Sequence, residues 1–153
     1  MDFTEYIGTK RIKAKPMTRG EYNRLSGIEI PESDDNYHDK GYLVRYSADD
    51  YQTWSPEAAF EAAYRKSGEM NFGQALEALK NGEKAARTGW NGKNQYIQLA
   101  TCISYRNTDS EIINAEHDAI GNKAIAFVGT SGIQLGWLAS QADMLAEDWM
   151  IVG

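Results

Sequence analysis

The stretch Arg87-Thr88-Gly89-Trp90-Asn91-Gly92-Lys93 places a tryptophan in a glycine-flanked turn between two predicted strands. Gly89 and Gly92 allow the backbone to bend where a Cβ would clash, and Asn-Gly is a strong turn signal. The residues alone leave two interpretations of Trp90 open. It is either a plug of the core or of an interface, or a platform on which a flat ligand stacks, with Arg87 and Lys93 nearby.

Composition excludes several classes of protein. The chain has 153 residues, which suits one domain or two small ones, and its net charge of -6 argues against a general binder of nucleic-acid polymers. The one cysteine, Cys102, excludes an intramolecular disulfide framework. His38 and His117 lie far apart in sequence, so no metal site is predicted. The single cysteine also fits a reducing cytosol, and neither a signal peptide nor a membrane-spanning segment is predicted.

Local signals divide the first part of the chain into short elements. Thr18, followed by Glu21 three residues later, forms a capping box that opens a helix. Aromatic and β-branched content predicts a strand and a hairpin partner after the acidic loop of residues 31–40. The predicted elements are a helix over 19–26, strands over 41–46 and 51–54, and a helix from Ser55 that carries Arg65 and Lys66 in its last turn and stops at Gly68.

A second set of signals starts after Gly68, which indicates a boundary between two small modules, residues 1–68 and 70–153. Asn71 with Gln74 opens a helix whose Phe72, Ala75, Leu76 and Leu79 form one buried stripe. Residues 103–122 have no clear periodicity and predict a lid, a binding loop or an insertion. Strands are predicted over 84–88, 95–99, 124–128, 133–138 and 149–152. The predicted fold class is therefore α+β, with a small antiparallel sheet and a few short helices.

The last segment contains another capping box, formed by Ser140 and Asp143. It predicts a short helical turn, in which Met144 and Leu145 should face inward. Trp149 is expected in the core, whereas Trp137 fits either the core or a ligand site.

Three ordered blocks resemble the second Thoeris anti-defence family of phages and prophages. They are residues 71–76, residues 86–93 and residues 137–149, which together extend across Met70 to Val152. The preceding part, with Tyr6-Ile7-Gly8-Thr9-Lys10 and Trp54-Ser55-Pro56, resembles another small, uncharacterised phage module.

The resemblance implies sequestration without catalysis and without a cofactor. Such proteins bind glycocyclic ADP-ribose, which bacterial TIR-domain proteins make, and some bind cyclic dinucleotides, in the cytoplasm of the infected host. It also implies a homo-oligomer, with a tetramer as the expected assembly and pockets between protomers. Aromatic faces would stack the base, and cations and amides would bind phosphates and sugar. The candidate ligand-binding residues in the matching blocks are Trp90, Asn91, Arg87, Lys93, Trp137, Ser140 and Asp143.

Two alternatives stay open. A hydrolase of such signals would need a general base or a metal-activated water. Asp143, Glu147 and Asp148 are the compact acidic group available, and no histidine accompanies them in sequence. The other alternative is a protein-binding phage module based on residues 1–68, whose aromatic residues suit an interface as well as a core. These residues are Tyr42, Tyr46, Tyr51 and Trp54.

Overall fold

The computed structural model divides the chain into two compact units. One unit ends at Tyr64 and the other begins at Arg65; we call them the N-terminal and the C-terminal unit. Both combine short helices with antiparallel strands, which confirms the predicted α+β class. The structure describes residues 2–46, 50–90, 94–119 and 121–153.

In its described residues, the N-terminal unit has a three-stranded antiparallel sheet, whose strands lie side by side in chain order. Leu43 and Val44 of the central strand are buried. The first helix begins with the predicted capping box, because the Thr18 side chain accepts from the Glu21 N–H and the Glu21 carboxylate accepts from the Thr18 N–H. The elements are β1 (Ile12–Pro16), α1 (Arg19–Leu25), β2 (Gly41–Tyr46), β3 (Gln52–Pro56) and α2 (Glu57–Ala63).

The predicted bounds of α2 are wrong at both ends. Ser55 belongs to β3, where it pairs with Tyr42, so Pro56 occupies the N-cap position. The helix ends at Ala63, because Tyr64 already has an extended backbone and stacks its ring on Phe60 at a centroid distance of 5.0 Å. Arg65 and Lys66 therefore lie beyond the helix, and the contact at its end is the stacking of Tyr64 on Phe60.

The C-terminal unit contains, in the ranges that the structure describes, a five-stranded antiparallel sheet and a separate two-stranded ribbon. The elements are α3 (Phe72–Lys80), β4 (Lys84–Arg87), β5 (Tyr96–Thr101), β6 (Tyr105–Arg106), β7 (Ile112–Ile113), β8 (Lys123–Gly129), β9 (Gly132–Leu135), α4 (Gln141–Met144) and β10 (Trp149–Val152). The order of the five-stranded sheet is β10-β4-β5-β8-β9, and the pairing of β10 with β4 places Trp149 opposite Arg87.

The core of the C-terminal unit forms between α3 and this sheet. The predicted stripe of α3 is confirmed, because Ala75 and Leu79 are fully buried and Phe72 and Leu76 pack against the same cluster. The sheet contributes Ala85, Ile97 and Trp149. The helix begins at the predicted cap, where the Asn71 side chain accepts from the Gln74 N–H at 2.8 Å. Burial of this apolar face is the main stabilising term for so short a helix.

Asparagine side chains connect the described residues of the segment 103–122, which has no clear periodicity in sequence. The Asn107 Oδ1 accepts from the N–H groups of Asp109 and Glu111. The Asn114 side chain donates to the Ile103 carbonyl at 2.6 Å. Side-chain bonds of this kind replace the ladder bonds of a regular element. They hold the ribbon β6–β7 and the turns after it, and a role as a lid or binding loop stays a prediction.

Two predictions near the end of the chain need correction. Met144 and Leu145 do not face inward, since their exposed fractions are 39% and 78%. Helix α4 is a single turn. Ala146, which comes after this helix, packs against the core instead. Strand β9 stops at Leu135 because Gly136 adopts a positive φ of 84° and its N–H turns back to the Ile125 carbonyl.

Candidate functional site

Trp90 lies in the turn after β4 and is half-buried. Its backbone N–H donates to the Arg87 carbonyl, which closes the turn. Its ring meets Phe127 and Trp149 with centroids 5.4 Å apart, both edge to face. Such contacts stabilise an aromatic pair beyond the area it buries. Trp90 therefore packs at the rim of the core while part of its surface stays exposed.

Trp137 lies next to Trp90 and is also half-buried. The two indole rings are 6.1 Å apart at an interplanar angle of 70°. The Trp137 backbone N–H donates to the Ile125 carbonyl of β8 at 2.8 Å, which fixes its position after β9. Trp149 lies beneath both rings and is fully buried. We call these rings the aromatic cluster; its members are Phe72, Trp90, Phe127, Trp137 and Trp149.

A charged network lies at the end of β4. The Arg87 Nε donates to the Asp148 carboxylate at 2.9 Å, and a terminal nitrogen of Arg87 donates to the Asp143 carboxylate at 3.0 Å. The Thr88 hydroxyl donates to the second oxygen of Asp148. The three charged side chains are 15–31% exposed, so water screens them only in part. We call this group, with Ser140, the Arg87 network.

Asp143 connects the Arg87 network to the aromatic cluster. Its carboxylate accepts from the Ser140 hydroxyl at 2.7 Å, which confirms the predicted capping box. Its backbone carbonyl accepts from the Trp149 indole N–H at 2.9 Å. One residue thus joins the cap of α4, the end of β4 and the buried tryptophan beneath Trp90 and Trp137.

The network shifts the acidity of its members. Hydrogen bonding from Arg87 lowers the pKa of Asp148. Burial alone would raise the pKa of Asp143, but hydrogen bonds from Ser140 and Arg87 outweigh it and the pKa is lowered. The bonds to Asp148 and Asp143 raise the pKa of Arg87 in return. At neutral pH, the guanidinium is therefore compensated by two carboxylates of the same chain.

Asp148→Asn tests the network through its dependence on pH. At neutral pH, we expect the free energy of unfolding of the variant to be about 1–2 kcal/mol lower than that of the wild type, because a partly exposed charged hydrogen bond is weakened. A lowered pKa in the folded state stabilises the protein above the ordinary value of 3.8, and this stabilisation is lost as the pH falls below it. The difference between wild type and variant, measured by urea unfolding, should therefore be constant between pH 7 and about pH 5 and shrink at lower pH, down to the lowest pH at which both proteins fold. A difference that stays constant below about pH 5 as well would contradict the assignment.

The structure brings five of the seven predicted site residues together. Arg87, Ser140 and Asp143 share hydrogen bonds, and Trp90 and Trp137 share a ring contact. Asn91 and Lys93 lie outside the described residues. For the five, the structure gives packing, capping and ion-pair contacts, and a role in ligand binding stays a prediction.

Within the described ranges, no group of three or more His, Cys, Asp and Glu side chains is arranged to hold a metal ion. The acidic group considered for a hydrolase includes Asp143 and Asp148, whose carboxylates both accept from Arg87. In the same ranges, no helix has the length and apolarity needed to cross a membrane.

Comparison with known proteins identifies the family of the C-terminal part of the chain. The model of the Thoeris anti-defense 2-like domain matches residues 70–152, which is more than half of the chain. The chain belongs to the Thoeris anti-defense 2-like family. It is 42% identical over 88 residues to the protein Thoeris anti-defense 2 of Bacillus phage SP01, and the match covers 54% of this chain and 94% of that protein.

The family assignment supports a phage anti-Thoeris protein and suggests a non-catalytic one. The aromatic cluster and the Arg87 network both lie inside the range that matches the Thoeris anti-defense 2-like domain. The N-terminal unit lies outside that range, and its relation to the uncharacterised phage module stays a prediction.

Asp148 is not among the site residues predicted from the sequence. Trp149 is predicted in the core, but the sequence does not connect Trp149 to the site. Asp148 precedes the strand whose first residue pairs with Arg87, so only the pairing of β10 with β4 brings the two charges together. The usable signal was the run Glu147-Asp148-Trp149, in which acidic residues precede an apolar strand. Without the strand order, that run does not identify Arg87 as the partner.

Proposed function

We propose that this protein binds cyclic nucleotide immune signals and sequesters them intact in the cytoplasm of the infected bacterium. Glycocyclic ADP-ribose made by TIR-domain proteins is the first candidate ligand, and cyclic dinucleotides are the second. The observation that carries the proposal is the pair of half-buried tryptophans, Trp90 and Trp137, held in the family-matched domain beside the Arg87 network.

The geometry of the two tryptophans suits a flat ligand with a polar rim. Their planes stand at 70°, so a base stacked on one ring would present its edge to the other. Stacking of a base on an aromatic ring is worth about 1–3 kcal/mol. Because Trp149 and Phe127 support Trp90 from the core side, little side-chain entropy is lost when a ligand binds.

Arg87 has a smaller role in phosphate binding than its positive charge suggests. Two of its five N–H groups are used by Asp148 and Asp143, and the charge is compensated. We assign to Arg87 the positioning of the Trp90 turn, with the remaining N–H groups available to phosphate oxygens. Asn91 and Lys93 are proposed as additional ligand-binding residues on the basis of the family resemblance alone.

The deciding experiment is calorimetry of the purified full chain with glycocyclic ADP-ribose and with a panel of cyclic dinucleotides. The complex is then heated, and the supernatant is chromatographed. We expect binding at nanomolar affinity and recovery of intact ligand. Turnover by substoichiometric protein would replace sequestration with hydrolysis, and absence of binding to every ligand would reject the proposal.

We also propose that the C-terminal unit assembles as a homo-oligomer, with a tetramer expected, whose pockets lie between protomers. Support comes from apolar side chains of the family-matched domain that are exposed in the single chain. Contact with a second copy would remove them from water at a gain of about 25 cal/mol per Å². They are Ile133, Leu135, Leu138, Met144 and Leu145.

The double substitution Leu138→Lys with Leu145→Lys is expected to lower the mass of the assembly, because these side chains are 89% and 78% exposed and charge would be buried at the interface. The mass is measured by light scattering after size-exclusion chromatography. Leu25→Lys in the N-terminal unit is the matched control, since Leu25 is 60% exposed and lies outside the matched domain. A monomeric wild type, or equal masses for all three proteins, would contradict this prediction.

A further inference from the structure

A free strand edge lies in the N-terminal unit, which the proposed function does not use. Strand β1 is an outer strand of the three-stranded sheet and, among the described residues, it pairs with β2 only. Residues 13–16 of this strand are exposed. An outer strand presents backbone N–H and C=O groups to which a further strand can bind. The edge of β1 is therefore a candidate docking surface.

The hydrogen-bond pattern shows which backbone groups this edge offers. The Met17 N–H donates to the Gly41 carbonyl at 2.9 Å, so these two residues form a hydrogen-bonded pair of the antiparallel ladder. Hydrogen-bonded pairs recur at every second residue, so the odd-numbered residues of β1 direct their backbone groups toward β2. The even-numbered residues Ile12, Ala14 and Pro16 direct theirs away from the sheet, and Pro16 has no N–H.

The side chains along this edge are positively charged. Lys13 and Lys15 lie on the same face of the sheet, and Arg45 of β2 lies directly opposite Lys13. All three residues are exposed. None of them forms an ion pair in the part of the chain that the structure describes. Since like charges directly opposite each other destabilise an antiparallel pair, the pairing of Lys13 with Arg45 is unfavourable within the unit itself.

The unit does little to compensate these charges. Gln52 lies opposite Arg45, and its amide oxygen, when turned toward Arg45, accepts from two guanidinium N–H groups at 2.8 and 3.0 Å, but an amide carries no charge. Glu21 is already bound by Thr18, whose hydrogen bonds are the main cause of its lowered pKa, and the charge of Lys15 contributes least to that shift. The edge therefore stays positively charged.

Protection of the edge does not fully explain this arrangement. Lysines on an outer strand can prevent unwanted pairing between sheets, which would account for Lys13 and Lys15. It would not account for Arg45, because Arg45 lies on the central strand. Residues 6–20 contain five cationic residues and no carboxylate, although the net charge of the chain is -6. This concentration of positive charge on an acidic protein suits an anionic partner at the edge.

We propose that the edge of β1 binds an extended strand of a partner protein, and that this strand has carboxylates at alternate positions. The backbone groups of Ile12 and Ala14 would bind the partner strand as a further antiparallel strand of the sheet. Its carboxylates would face Lys13 and Lys15, since residues opposite each other lie about 5 Å apart. A nucleic-acid polymer would use the charge but not the backbone groups. This inference goes beyond the nucleotide binding proposed for the C-terminal unit.

The test uses the full chain and, as the probe, a short peptide that alternates glutamate with valine. Hydrogen exchange is followed by nuclear magnetic resonance in a nitrogen-labelled sample. With the peptide bound, exchange should slow at the N–H groups of Ile12 and Ala14, whereas those of Lys13 and Lys15 already bond to β2 and should change little. The same peptide with methylated backbone nitrogens, and a peptide that alternates lysine with valine, should not bind.

Lys13→Glu separates binding from a structural role, with Lys123→Glu on β8 as the matched control, because Lys123 is an exposed strand cation of the other unit. Affinity for the acidic peptide should fall roughly threefold to tenfold in Lys13→Glu and stay unchanged in the control. The urea midpoint of free Lys13→Glu should stay the same or rise, because glutamate then lies opposite Arg45.

Three results would overturn the proposal. The first is no binding of the acidic peptide, and the second is equal affinity for its methylated form. The third is binding that leaves exchange at Ile12 and Ala14 unchanged, as single-stranded DNA is expected to do if charge alone attracts it to the edge.

Discussion

Trp149→Ala is expected to lower the free energy of unfolding of the C-terminal unit by about 3–5 kcal/mol, the range for removing a large buried aromatic side chain. Trp149 is fully buried and touches Phe72, Trp90 and Trp137. The substitution opens a cavity and deprives the Asp143 carbonyl of its indole partner.

Urea unfolding, followed by circular dichroism, measures this effect. Trp149→Phe keeps most of the apolar volume but loses the indole N–H, so an intermediate loss of about 1–2 kcal/mol is expected. Tyr51→Ala is the control, because its side chain is 62% exposed in the other unit. If Trp149→Ala cost less than about 1 kcal/mol, Trp149 would not be the support that the packing indicates.

Trp90→Leu should weaken binding of glycocyclic ADP-ribose roughly tenfold to a hundredfold, because a stacked base contributes about 1–3 kcal/mol. Leucine keeps an apolar group against Phe127 and Trp149, so the loss of stability should be smaller than for Trp149→Ala. Calorimetry of folded variants separates the two effects. This prediction depends on the proposed function and tests its central residue.

Two further variants are measured beside Trp90→Leu, so that the effect of the aromatic ring can be separated from other effects. Trp90→Phe retains a smaller ring and should recover part of the affinity, whereas Tyr51→Leu removes an aromatic residue outside the proposed site and should bind as wild type does. If Trp90→Leu bound the ligand with unchanged affinity, Trp90 would be a core residue only. Trp137 would then be the next tryptophan to test, by the same substitution.

The helix starts could be predicted because their signals are local. Thr18 with Glu21, Asn71 with Gln74 and Ser140 with Asp143 each form the reciprocal pair of bonds that their spacing predicts. These bonds close within four residues, so no distant part of the chain is needed. The strand predicted over 95–99 from its alternation of polar and apolar residues corresponds to β5 (Tyr96–Thr101), and the closing strand predicted over 149–152 is β10.

The wrong predictions concern how far a short helix extends and which side chains it buries. Ala63 ends α2 where Tyr64 stacks on Phe60, although basic residues and Gly68 suggested a later end. Met144 and Leu145 are both exposed, against the prediction, because a one-turn helix has too few residues to define a buried face. In the first case a ring contact accompanies the end of the helix, and in the second the helix is too short for its spacing to predict burial.

The sequence by itself determined the fold class, the capping boxes and the blocks that identify the family. Each of these depends on residue types at short spacing. Only the tertiary structure decided what Trp90, Trp137 and Arg87 contact. Trp90 meets Trp149, and Arg87 meets Asp148, because β10 pairs with β4 across about sixty residues of chain. Trp137 reaches the same place through its bond to Ile125 of β8. Strand order is set by how the apolar faces of the whole unit are buried together, and no short stretch encodes it.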